Sequence, residues 1–230
     1  MKTIVIALLT SLFGIAADLP TSVTVPLHRS YIPIGFDDND NLQITVEGAF
    51  PNTCYKVGAA SVEVDAPSKI IRIEQKAHHY TGLCFQMLVP FTHTVDLGFV
   101  AAGEYAIIDA ATGLNLGDLS VAFAKHSGAD DYLYAPISDA DIQSSPETGH
   151  TLVLRGSFSD RCTVFREVRV VYGQAVVVVQ PIVDRVPERN CGGKTRFLKT
   201  VELKEELKGV YLLHVRSMEG SAINKMIDIP

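Results

Sequence analysis

Four cysteines, Cys54, Cys84, Cys162 and Cys191, are the residues best suited to covalent chemistry. None stands at the C-x-x-C spacing of a redox or zinc site. In an exported chain they read as disulfides, and four cysteines allow three pairings. Seven histidines are scattered, and only His78-His79-Tyr80 clusters. Neighbouring side chains of a strand point to opposite faces, so that pair chelates one ion only from a loop. The densest acidic stretch is Asp37-Asp38-Asn39-Asp40-Asn41. Hard oxygen ligands at Asp37, Asp38 and Asp40 suit calcium, although the glycine and the closing acid of an EF-hand loop are missing. The competing reading is a solvated turn, which Asp and Asn favour anyway. No nucleophile elbow, zincin helix, phosphate loop or dinucleotide fingerprint occurs.

Charge supplies the remaining candidate site. The 230 residues carry 20 Lys and Arg against 26 Asp and Glu, a net charge of −6. That balance argues against a general nucleic-acid binder, which must neutralise phosphates. Yet between Arg155 and Lys199 nine basic residues stand against four acidic ones. Arg161, Arg166, Arg169 and Arg189 are the expected contacts for a partner, an acidic protein or an anionic glycan. Ordinary solubilisation of a strand face is the plainer alternative.

An internal repeat chooses the cysteine pairs. Gly48-Ala49-Phe50-Pro51-Asn52-Thr53-Cys54 lines up with Gly156-Ser157-Phe158-Ser159-Asp160-Arg161-Cys162. Phe91 then matches Phe197, Thr94-Val95-Asp96-Leu97 matches Thr200-Val201-Glu202-Leu203, and Gly103-Glu104-Tyr105 matches Gly209-Val210-Tyr211. Upstream, Tyr31-Ile32-Pro33-Ile34 echoes Tyr134-Ala135-Pro136-Ile137. Each copy holds one cysteine pair, so the expected bridges are Cys54–Cys84 and Cys162–Cys191. Closing a loop of that size stabilises by about 3 kcal/mol in the chain-entropy view.

The elements that carry these residues read as strands. Leu42, Ile44 and Val46 alternate with Gln43, Thr45 and Glu47, and Leu152 and Leu154 begin the same scheme in the second copy. Val176 to Val179 is a continuous apolar run, as in a strand covered on both faces. Only Val201 to Lys208 has the composition for a helical turn. The expected fold is all-β: two tandem immunoglobulin-like antiparallel β-sandwich domains over 18–125 and 126–230, each with one internal disulfide. An up-and-down barrel is the alternative. The immunoglobulin tryptophan is missing, since the chain has no Trp.

Residues 1–17 read as a signal peptide: Lys2, then a charge-free apolar stretch ending in Ala16-Ala17. No other segment is long and apolar enough for a membrane span. The mature chain is therefore expected to be exported, periplasmic or extracellular. An apolar fraction of 47% excludes wholesale disorder. The function expected is an exported, non-enzymatic binding or structural module, whose partner is a protein, an envelope glycan or another copy. The alternatives are a protease inhibitor presenting the loop Val186 to Gly193, and a hydrolase with a site between the domains. No cofactor other than calcium is suggested.

Overall fold

The computed structural model describes residues 19–126, 130–145, 149–186, 190–204 and 206–229. The segment read as a signal peptide lies outside the described residues. In chain order the strands are β1 (Thr21–Val25), β2 (Leu27–Tyr31), β3 (Phe36–Asp37), β4 (Leu42–Phe50), β5 (Tyr55–Asp65), β6 (Ile70–His79), β7 (Val89–Gly98), β8 (Gly103–Asp109) and β9 (Asn115–Ala122). They continue as β10 (Ile137–Ser145), β11 (Gly149–Phe158), β12 (Thr163–Gly173), β13 (Val176–Arg185), β14 (Thr195–Glu202), β15 (Gly209–Arg216) and β16 (Ala222–Ile229). The described residues contain no α-helix. The one helical turn is a 3-10 turn at Met218–Gly220, not the stretch around Lys204 where composition placed it.

One pairing scheme occurs twice. In the first half β2, β4 and β7 form a three-stranded sheet, and β5, β6, β8 and β9 lie together in the other. In the second half β10, β11 and β14 form the small sheet, and β12, β13, β15 and β16 the large one. The first half adds β1, which pairs with β6 beyond the reach of β8, and β3, which pairs with β9. The fold is thus an all-β arrangement of sandwich type. Most strands bury one face, which is why the period-two pattern was so regular outside β13.

Two expectations need correction. The sheets are not wholly antiparallel: β6 and β8 run parallel, as do β13 and β15. The cause is connectivity. β7 and β14 cross to the small sheet, so the chain returns to the large one running in its former direction. The immunoglobulin scheme instead keeps the fourth strand with the first, second and fifth. The upstream repeat block is also displaced. Leu27 stands opposite Gly48 and Ile137 opposite Gly156, so Pro26-Leu27, not Pro33-Ile34, is the counterpart of Pro136-Ile137.

Each half has a main core of its own. Leu42, Ile44, Val46, Ile71, Ile73, Tyr105 and Ile107 lie in the first, and Leu152, Leu154, Val177, Val179, Leu213 and Val215 in the second. The apolar run of β13 is buried on both faces, as its composition implied. Val177 and Val179 enter the second core, while Val176 and Val178, with Leu212, pack against Tyr31 of the first half. Tyr105 and Tyr211 hold matching positions opposite Leu119 and Ile227. Tyr105 is buried and donates to the Ala101 carbonyl at 2.9 Å, whereas Tyr211 is only partly buried.

Disulfides join Cys54 to Cys84 and Cys162 to Cys191, with Cα atoms 5.4 and 5.1 Å apart. Beneath each lies the same aromatic packing. Phe91 stacks on Phe50 at 4.3 Å, and Phe197 lies 4.6 Å from Phe158. The two disulfides indicate an oxidising, exported environment. No helix among the described residues is long and apolar enough to cross a membrane.

Candidate functional site

β11 and β14 build the face on which the basic residues gather. Arg155 stands opposite Leu198 and Ser157 opposite Arg196, so these four share the outward side of the small sheet. Their neighbours Leu152, Leu154 and Phe158 are buried beneath. Ser138, at the bulge that opens β10, donates to the Arg155 carbonyl at 3.2 Å. Together with Lys194 these residues line a groove of about 290 Å³. Arg155 pairs with Asp139 at 2.7 Å, and both are well exposed. Among the described residues neither Lys194 nor Arg196 forms an ion pair. The groove therefore offers two unopposed cations, two hydroxyls and the exposed Leu198 side chain.

The arginines singled out in the sequence are deployed differently. Arg166 and Arg169 project from the edge strand β12. Arg166 pairs with Asp184 at 3.2 Å and Arg169 with Glu167 at 2.7 Å, and both guanidinium groups lie over the Tyr132 ring. Arg185 pairs with Asp160 at 3.2 Å. Arg161 is exposed beside the second disulfide, with its guanidinium against Gly193 and its backbone N–H donating to Cys191. Arg189 lies outside the described residues. Spacing along the chain marked the basic segment but not which members are neutralised, because pairing depends on cross-strand neighbours.

Asp37, Asp38 and Asp40 are engaged with protein donors. Asp37 accepts the Asn39 backbone N–H, Asp38 accepts that of Ala124, and Asp40 accepts that of Asp37. Asp40 also meets Arg216, from the end of β15, at 3.1 Å in a buried pair. Arg216 donates further to the Gly35 carbonyl and packs over Phe36. Burial pushes the Asp37, Asp40 and Asp130 carboxyls above the usual range, and for Asp40 it outweighs the pull of Arg216. Among the described residues no three His, Cys, Asp or Glu side chains converge as a ligand set.

A second polar link crosses between the halves beside this pair. Asp96 accepts from the Gln43 amide, whose oxygen accepts from Asn224 Nδ2 at 2.8 Å, and Asn224 Oδ1 meets His214 Nδ1 at 2.7 Å. Because Asp96 only accepts, the chain of bonds assigns the proton to Nδ1 of His214. Nε2 has no partner among the described residues, and burial depresses the imidazole to about 4. His214, Arg216, Asp40 and Asp130 line a cavity of about 10 Å³, the space of one water. Sequence reasoning missed this junction. Only the acidic run hinted at it, and nothing local points to a partner 176 residues away.

A family model described as the ORF11 beta-sandwich domain matches residues 44–108, the stretch from β4 to β8 that contains the first disulfide. No curated protein and no solved structure matches the chain.

Proposed function

We propose that this chain is an exported, non-enzymatic binding module of two tandem β-sandwich domains, 18–125 and 126–230, following a signal peptide over 1–17. The outward face of β10, β11 and β14 takes up an anionic glycan. The observation that carries this reading is that Lys194 and Arg196 form no ion pair among the described residues, at a groove whose third basic lining residue, Arg155, is paired with Asp139. Carboxylate or sulfate groups meet these cations, the Ser138 and Ser157 hydroxyls suit sugar hydroxyls, and Leu198 offers an apolar surface to a ring. Arg161 extends the basic rim past the disulfide. Arg166 and Arg169, already paired, add to long-range attraction more than to contact.

Heparin, a sulfated polysaccharide, is the probe. Calorimetry should show binding to the wild-type chain and its loss in Lys194→Glu/Arg196→Glu. Reversal of Lys56 and Lys69 in the first half should leave binding intact. Equal binding by both double variants would refute the groove.

A further inference from the structure

The loop closed by the first disulfide ends in bare apolar side chains. Residues 81–89 carry no charge. Leu83 is as exposed as in an extended chain, Phe85 is 77% exposed and Leu88 73%, with Met87 exposed beside them. Leu19 lies at the same end, because Thr21 stands opposite His79 at the start of β1. Several large apolar residues in one exposed loop are far from the single surface leucine that needs no explanation.

The fold does not demand them. The matching loop of the second half, around Cys191, carries Asn190, Gly192, Gly193 and Lys194. A disulfide and an aromatic stack hold both loops, so the apolar residues of the first are surplus to packing.

We infer that this loop is a lipid-facing tip, which dips Leu83, Phe85, Met87 and Leu88 into the interface of a bilayer. Charge complementarity selects this occupant. In an acidic chain, residues 48–62 and 75–95 contain no Asp or Glu, so no carboxylate in either segment opposes an anionic headgroup layer. Lys56 and Tyr80 stand at the base of the loop, the ammonium 5.2 Å from the ring centre. Tyrosine and lysine are suited to headgroup depth, with an apolar body below and a polar end above. By contrast, exposed Phe99 and Phe123 stand close in sequence to Asp96, Glu104 and Asp118.

Hydrogen bonds tie the loop to the turn between β4 and β5. Thr53 Oγ1 accepts the Phe85 N–H at 3.0 Å, and the Thr53 N–H donates to the Phe85 carbonyl at 3.2 Å. The Tyr80 N–H donates to the Cys54 carbonyl at 2.9 Å.

The absence of tryptophan gives a clean probe. Phe85→Trp in the full mature chain should shift its emission to the blue with phosphatidylcholine vesicles containing phosphatidylglycerol. Brominated phosphatidylcholine should quench it. Tryptophan placed instead at exposed Val164 of the second half should do neither. Adding Leu83→Asp and Leu88→Asp to Phe85→Trp should abolish the shift while leaving the melting temperature unchanged. An emission that ignores vesicles would overturn the inference. So would a blue shift that grows with protein concentration in their absence, since the tip would then be meeting a second copy.

Discussion

Asp40 and Arg216 show how much one pair can hold. Both are buried, and Arg216 is the cation nearest to three carboxyls that burial already disfavours. Removing one member of such a pair costs about 3–5 kcal/mol because the other stays buried without compensation. Arg216→Met should therefore lower unfolding stability by about that amount at neutral pH. The deficit should shrink on acidification. Raised carboxyls take up protons in the folded state first, which favours it as pH falls. Denaturant titration of the variant and parent at several pH values checks this. His214 works in the opposite direction. Its folded value of about 4 lies below the ordinary 6.5. Above 6.5 it costs nothing, and as pH falls from 6.5 to 4 the unfolded chain binds the proton first. Stability is lost across that window, by about 3 kcal/mol for a shift of this size. His214→Gln should flatten this part of the pH profile. The acidic run was visible in the sequence as a calcium candidate, but its engagement with Arg216 was not, because the junction exists only once the two halves meet.

At the scale of elements, the alternation of apolar and polar residues was enough to place most strands, since most of them bury one face. The pattern could not show that β6 and β8 are parallel, because alternation is the same in either direction. The repeat alignment also misplaced its upstream block, since Tyr31 to Ile34 and Tyr134 to Ile137 share Tyr-x-Pro-Ile without holding equivalent positions. Glycine positions anchor the true register. A Cβ at Gly156 would stand 2.1 Å from the Pro136 carbonyl oxygen, and one at Gly48 2.4 Å from the Phe91 ring and 2.8 Å from the Pro26 carbonyl oxygen. Both sites are closed by a proline carbonyl and a phenylalanine ring, which explains why this glycine recurs in the repeat. Overpacking typically costs about 1–3 kcal/mol. Gly156→Ala should exceed Gly48→Ala in thermal destabilisation, because its nearest obstacle is backbone while a ring can turn. Tyr105→Ala should cost about 3–5 kcal/mol, as for other large buried aromatics, and Tyr211→Ala less. Equal losses would mean that the difference in burial has no energetic weight.

At the scale of the molecule, two copies of one pairing scheme have been given different surfaces. The first carries an apolar tip beyond its disulfide, and the second a basic groove beside its own. The repeat was legible because it fixes the cysteines, glycines and core aromatics that both copies need. The surfaces were only partly legible, since ion pairs across strands decide which charges remain available. The basic segment between Arg155 and Lys199 contained the groove residues, but Arg166 and Arg169 turned out to be tied to Asp184 and Glu167. If Lys194 and Arg196 carry binding, attraction must weaken as salt shortens the Debye length from about 10 Å at 0.1 M to about 3 Å at 1 M. The most direct measurement is the heparin affinity of the mature chain across that salt range. A steep fall is expected in the wild-type chain, and a weak, nearly flat dependence in Lys194→Glu/Arg196→Glu. Wild-type affinity that stays constant with salt, or the same steep fall in the double variant, would contradict it.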